Sequence, residues 1–179
     1  METFTESRTL VENPRYLQDR QDNLDALDLG TIDKPIVGII AGFAELSHCF
    51  TLQSCYGHFL CTSEQDLRSL APIPPRHVGS VRYRIAYIAF CLENSSRGRA
   101  LRQSLAQIPA IDPGCVQFGS AGWFWERHVN SYALQVEPAR YMTRDEVILD
   151  HAEALHIQQT RDLFFQELEA LVARESRVH

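Results

Sequence analysis

The chain has 179 residues, 45% of them hydrophobic, and a formal net charge of −6 at pH 7. This length and composition predict one globular domain with its own core, and the negative charge argues against a protein that coats nucleic acid with a basic surface. No segment reaches the roughly 18 consecutive apolar residues that a membrane helix needs. Five cysteines, an odd number, favour free thiols over a disulfide framework. We therefore expect a protein of the cytoplasm.

The first half of the chain predicts a helix followed by a hairpin. Asp33, in an N-cap position, and Pro35 begin an apolar pattern with helical spacing that continues to about Ser47. Two short strands with a turn between them come next, because Gly57 supplies the backbone freedom that a tight turn needs. The strands are expected at 48–52 and 58–62, and the turn between them is expected at 53–57.

The second half predicts strands, two helices and a long loop. Residues 63–80 contain three prolines and predict the loop, and residues 81–92 alternate as one strand. Ser95 or Ser96 is the expected N-cap of the next helix. The stretch Thr143–Glu146 resembles a capping box that opens a long C-terminal helix ending near Arg174. Further strands are expected at 115–118, after the turn Asp112-Pro113-Gly114, and at 131–137, after a loop with Gly119 and Gly122.

This order of elements predicts an α/β (α+β) fold, with a mixed β-sheet flanked by helices and a long helix at the C-terminus. Residues 1–30 are polar and acidic and predict an N-terminal wrap around a core over 31–175. The whole of 1–179 is expected to form a single domain.

Residues 48–61 hold three of the five cysteines and two of the seven histidines. Cys49, Cys55, His58 and Cys61 have the ligand types that zinc prefers, which makes a metal-binding protein one interpretation. A strand, however, would turn residues 58 and 61 to opposite faces, and a free cysteine in a strand is commonly a small core residue. A reactive Cys55 activated by His58 is a second interpretation. A turn whose backbone N–H groups hold a polar ligand is the third.

The stretch Phe-Thr-Leu-Gln-Ser-Cys-Tyr-Gly-His, which follows the first core helix, resembles the tRNA wybutosine-synthesising protein 3 family. The signature of that family is a helix leading into Phe-Thr-Thr-Ser-Ser-Cys-Ser/Ala-Gly-Arg. Weaker similarity continues through residues 85–91, 131–138 and 143–172, so that the resemblance covers roughly 30–172. His58 stands where the family has arginine. The matching positions are Phe50, Thr51, Ser54, Cys55 and Gly57.

The resemblance implies an enzyme that transfers a methyl group from S-adenosylmethionine to a base of tRNA. Methyl transfer depends mainly on positioning, so the missing acid–base triad is compatible with it. The alternatives are a protein that binds a small molecule or partner without methyltransferase activity, and the metal-binding protein described above. The resemblance places cofactor or substrate binding at Thr51, Ser54, Cys55, Gly57, His58 and Ser131.

An arginine-rich segment offers the phosphate contacts that tRNA would need. Between Arg68 and Ile108 there are seven arginines and one acid, Glu93, which gives a local charge of +6. An ordinary solvated face explains the same pattern. The candidate nucleic-acid-binding residues are Arg82, Arg84, Arg97, Arg99 and Arg102.

Overall fold

Two antiparallel sheets form the framework of the molecule. The structure, a computed structural model, describes residues 4–141 and 144–178. Its strands are β1 (Phe4–Thr5), β2 (Cys49–Cys55), β3 (His58–Leu60), β4 (Val81–Arg84), β5 (Ala86–Leu92), β6 (Val116–Ala121), β7 (Ser131–Val136) and β8 (Glu146–Leu149). One sheet has the order β1-β6-β7-β5-β2, and the other has the order β3-β4-β8. The described pairs between these strands are antiparallel.

Helices pack on the faces of the five-stranded sheet. They are α1 (Tyr16–Ala26), α2 (Val37–Glu45), α3 (Ser96–Leu105), α4 (Gly122–Arg127) and α5 (His151–Glu175), and short 3-10 turns lie at Leu29–Thr31, Lys34–Ile36, Ile108–Ile111, Ala139–Tyr141 and Ser176–Val178. Buried side chains of α2, α3 and α5 join those of both sheets in one core. No helix of the described residues is long and apolar enough to cross a membrane.

The α/β (α+β) fold class, with helices flanking β-sheet and a long C-terminal helix, is confirmed, but the described strand pairs are antiparallel where a mixed sheet was expected. The expected sheet is divided in two, because the strand predicted at 81–92 changes sheets at Ile85. Tyr83 spans this corner: its hydroxyl accepts a hydrogen bond from the Ala86 N–H at 2.8 Å and donates one to the Val136 carbonyl at 2.7 Å. Alternation of side chains is the same in both sheets, so it gave no sign of the break.

Helix α5 begins later than the capping-box pattern predicted. Thr143 lies outside the described residues, but Glu146–Leu149 is a strand paired with β4. The side chain of Asp150 caps the helix by accepting from the Glu153 N–H at 2.9 Å. Asp150 and Glu153 thus form a second capping pattern, with an acid three residues after the N-cap, and this pattern marks the true start of α5. The other expected helices are confirmed at α2 and α3, where Ser95 caps α3.

Helix α1 of the N-terminal segment packs against β2, an edge strand of the five-stranded sheet. Tyr16 of α1 packs against Phe50, with 5.8 Å between ring centroids. The guanidinium of Arg20 donates to the carbonyls of Ala44, Leu46 and Cys49, at distances of 2.7, 3.2 and 3.3 Å. These contacts tie α1 to the end of α2 and to β2, beside the candidate site.

Candidate functional site

The stretch that carries the family resemblance connects the two sheets. β2 ends at Cys55 in the five-stranded sheet, and β3 begins at His58 in the other. The predicted hairpin is therefore wrong: β2 pairs with β5, and β3 pairs with β4. Gly57 makes the change of direction with a φ of +89°, and a Cβ there would lie 2.8 Å from the Cβ of Ala86. Both conditions require glycine.

Asp33, Cys55 and His58 meet at this junction. One ligand-type atom from each lies within 4.8 Å of the other two. The His58 Nε2 is 3.4 Å from the Asp33 Oδ2, and its Nδ1 is 3.2 Å from the Ser69 carbonyl. The Asp33 Oδ2 also accepts from the Tyr56 N–H at 2.9 Å. Asp33 was expected as a helix cap, but its side chain instead holds the turn that follows β2.

Two arginines give this cluster a positive surrounding. Arg161 of α5 is buried, and its Nη1 donates to the Gly57 carbonyl at 3.1 Å. Arg161 and Arg84 both interact electrostatically with Cys55. Burial nevertheless raises the pKa of Cys55 above its usual value, outweighing the hydrogen bond from the Gly57 N–H. Cys55 is thus a neutral thiol at pH 7, which disfavours the reactive-thiolate interpretation.

The four residues of the predicted metal set are not brought together. In the described chain the cluster contains Cys55 and His58 but neither Cys49 nor Cys61, and Asp33 takes part instead. Cys49 is buried, and its thiol contacts the Phe43 carbonyl at 3.5 Å. The nearby guanidinium groups oppose a bound cation, since like charges repel strongly where water is scarce.

Sequence reasoning missed Arg161, although the pattern of α5 contains a sign of it. Arg161 lies between Ile157 and Phe164, four and three residues away, on the stripe of the helix that faces the core. An arginine on such a stripe is buried only when its charge has partners. Here its guanidinium lies 4.1 Å above the Tyr56 ring and bonds to Asp162. A guanidinium therefore lies beside the motif, although residue 58, which is arginine in the family signature, is histidine in this chain.

A cleft of about 230 Å³ lies beside residues 51–54 of the motif. β2 is an edge strand, so its outer backbone groups face no strand within the described sheet. Its register shifts between Thr51 and Gln53, which marks a bulge beside the cleft. The walls come from α1, α2, the 3-10 turn between them and β2; they comprise Asn23, Ala26, Leu27, Asp28, Thr31, Ile32, Ile40, Thr51, Leu52, Gln53 and Ser54.

The remaining predicted site residues are separated from this cleft. Ser131 begins β7, two strands away from β2, and is fully buried. Arg82 and Arg84 lie on β4 in the three-stranded sheet, whereas Arg97, Arg99 and Arg102 belong to α3. Arg102 is engaged within the protein: it donates to the Ser7 hydroxyl and to the backbone of Ser7 and Arg8.

The fold and the site define a protein with a cleft of mixed polar and apolar lining beside an edge strand. A cluster of Asp33, Cys55 and His58, with the cysteine and the histidine buried and the aspartate partly exposed, lies at the end of that strand. No family model and no curated protein matches the chain. Among solved structures, the PH1069 protein from Pyrococcus horikoshii is similar, with a TM-score of 0.50 and 10% identity, over 94% of this chain and 100% of that one.

Other similar solved structures include the following two. A structure of the PH1069 protein from Pyrococcus horikoshii OT3 has a TM-score of 0.46 and 11% identity, over 93% of this chain and 94% of that one. A hypothetical protein from Aeropyrum pernix has a TM-score of 0.39 and 13% identity, over 78% of this chain and 99% of that one. At these identities, the similarity at a TM-score of 0.50 establishes the fold alone.

Proposed function

We propose that the chain binds S-adenosylmethionine in the cleft beside β2 and methylates a base of tRNA, as in wybutosine synthesis, or a related substrate, in the cytoplasm. One observation carries the proposal: the stretch Thr51–Ser54, which lies within the family resemblance and matches its signature at Thr51 and Ser54, supplies four consecutive residues of the cleft wall. The rest of the stretch, through Gly57, forms the rigid junction at the end of the same strand.

The lining of the cleft suits a nucleoside. Leu27, Ile32 and Ile40 provide apolar walls for a flat base. Asp28 provides a carboxylate, a group that commonly accepts hydrogen bonds from ribose hydroxyls. The volume of about 230 Å³ is smaller than the roughly 300–1,000 Å³ of typical ligand pockets, so the cleft fits part of such a cofactor. The remainder would extend along the outer edge of β2.

The protein's contribution to the reaction would be positioning. The cofactor supplies an activated methyl group, and the chain holds it in line with the ring nitrogen that attacks. The edge of β2 offers backbone donors and acceptors at fixed spacing, and Ser54 adds a hydroxyl. Arg97 and Arg99 are exposed on α3 and offer positive charge to phosphates from a second surface, and the neutral Cys55 takes no covalent part.

Calorimetric titration with S-adenosylmethionine tests the cofactor step. We expect saturable binding of one equivalent by the unmodified protein, and its loss in Ser54→Leu, whose larger side chain fills the cleft. Ser63→Leu is the matched control, because Ser63 is exposed on a loop outside the cleft. Absence of binding at millimolar cofactor would refute the proposal.

The alternatives give different results in the same experiments. A protein that binds a small molecule without methyl transfer would take up the cofactor, or another ligand, yet leave tRNA unlabelled. A metal-binding protein using Cys55 and His58 would retain a stoichiometric metal that chelators remove and that Cys55→Ser abolishes.

A further inference from the structure

A second group of ligand-type side chains lies far along the chain from the motif. Asp112 and Cys115 belong to the turn that enters β6, and His156 projects from the second turn of α5. The Asp112 Oδ, Cys115 Sγ and His156 ring nitrogen lie within 4.8 Å of one another. The lining of the cleft includes none of these residues, and none of them is one of the positions that match the family signature.

Backbone hydrogen bonds hold the turn in a fixed shape. The Asp112 carbonyl accepts from the N–H groups of Cys115 and Val116 at 3.0 and 2.8 Å. The Cys115 carbonyl accepts from the Glu137 N–H at 2.8 Å, which ties the turn to the end of β7. The two candidate ligands are thus positioned by the backbone before any ion binds.

The carboxylate of Asp112 is oriented by groups around it. Its Oδ1 accepts from the Gly114 N–H at 3.1 Å, and its Oδ2 accepts from the Thr160 hydroxyl at 3.3 Å and faces the His156 Nε2 at 2.7 Å. Thr160 follows His156 by four residues, so both side chains share one face of α5. Such partners fix the direction of a ligating carboxylate in metal sites.

The charges around this group favour a cation. The carboxylates of Asp112 and Glu153 both interact electrostatically with Cys115. Arg140, the nearby base, is already paired with Glu153 at 2.7 Å. The Asp33 cluster differs in the number of arginines: Arg84 and Arg161 both act on Cys55, whereas Arg140 alone is the arginine that acts on Cys115 among the described residues.

We propose that Asp112, Cys115 and His156 form a site for a divalent transition metal of the zinc type, with a fourth position open to water. Carboxylate, thiolate and imidazole together are a donor set that suits zinc better than magnesium or calcium. Tetrahedral ligands with bonds of about 2.0–2.3 Å lie roughly 3.3–3.5 Å apart, so His156 must withdraw from its 2.7 Å contact with Asp112 for both to bind one ion. The side chain of His156 is 57% exposed and has room to do so.

Binding would replace the thiol proton by the metal. Without an ion, the sulfur of Cys115 carries a proton, as ordinary thiols do at pH 7, and hydrogen-bonds to Asp112. Metal binding releases that proton to solvent and forms the metal–sulfur bond. The divalent charge then balances the carboxylate of Asp112 and the thiolate of Cys115, with His156 neutral, and no redox step is involved.

Titration of the chelator-treated full chain with Co²⁺ tests the proposal. We expect a thiolate-to-cobalt charge-transfer band that saturates at one equivalent and is displaced by Zn²⁺. Cys115→Ser should abolish the band, and His156→Ala should weaken binding at least about tenfold. Cys61→Ser, at another half-buried cysteine, and Cys55→Ser, in the motif cluster, are controls that should leave the band unchanged.

The same titration distinguishes a metal held by Cys115 from one held by Cys55. A missing band in the unmodified chain, or a band that survives Cys115→Ser and vanishes in Cys55→Ser, would overturn the proposal. If Cys115→Ser fails to fold, His156→Ala decides, because the exposed His156 side chain is dispensable for packing. The result is independent of cofactor binding in the cleft, so either proposal can fail alone.

Discussion

The carboxyl group of Glu137 makes the stability of the protein depend on pH. It lies at the end of β7 and is completely buried. Its Oε1 accepts from the Gln135 amide at 2.6 Å, but no described group bonds its Oε2. Burial, with a smaller contribution from the negative charge of Asp145, raises the pKa of Glu137 from 4.5 to about 8. The folded protein therefore keeps this group protonated at neutral pH.

The size of the effect follows from this difference in pKa. Below pH 4.5 the carboxyl is protonated in both states and contributes no pH dependence. Between pH 4.5 and about 8, the unfolded chain releases the proton and the folded chain retains it. Each pH unit in that interval lowers the free energy of unfolding by about 1.4 kcal/mol, which amounts to about 3 kcal/mol at pH 7. Above pH 8 the loss is complete.

Glu137→Gln removes the titration and tests the reasoning. Urea unfolding, followed by circular dichroism at pH 4.5 and pH 7, gives the free energy of unfolding for each variant. Relative to the unmodified protein, Glu137→Gln should gain about 3 kcal/mol between the two pH values. Glu169→Gln, at an exposed position of α5, should gain nothing. An equal response of the two variants would refute a buried, protonated Glu137.

Two further substitutions test the turn at Gly57 and the hydrogen bonds by which Arg20 holds α1 against α2 and β2. Gly57→Ala should lower the free energy of unfolding by more than Gly79→Ala, since both have positive φ but only Gly57 meets the Ala86 Cβ. We expect about 1 kcal/mol for Gly79→Ala and at least twice that for Gly57→Ala, by urea unfolding; equal losses would contradict the close contact. Arg20→Met should cost about 2 kcal/mol because it removes three hydrogen bonds to backbone carbonyls, whereas Arg15→Met, on the surface, should cost almost nothing. Similar melting temperatures for the two arginine variants would show that the hydrogen bonds of Arg20 contribute little.

Elements with local signals could be predicted from the sequence. The apolar spacing of residues 36–43 and the cap at Ser95 gave α2 and α3, because both signals lie within a few residues of the helices they define. Strands β6 and β7 followed from a turn signal and from alternation. The long helix α5 was predicted correctly as a helix, but its start was predicted at the capping pattern of residues 143–146 rather than at Asp150.

Pairings between distant residues could not be predicted. Nothing local shows that the chain leaves one sheet after Cys55 and enters another at His58, because both segments read as short strands. The partners of the motif are distant in the chain: Asp33 precedes Tyr56 by 23 residues, and Arg161 follows Gly57 by 104. The cleft likewise depends on how α1 packs against β2, which a polar sequence does not reveal.

Transfer of a labelled methyl group from S-adenosylmethionine to tRNA tests the central claim most directly. Undermodified tRNA is incubated with the unmodified protein, Ser54→Leu and Ser63→Leu, then digested and separated into nucleosides. We expect label in a single modified base with the unmodified protein and with Ser63→Leu, and none with Ser54→Leu. Absence of label with the unmodified protein, or equal labelling by Ser54→Leu, would contradict methyl transfer from this cleft.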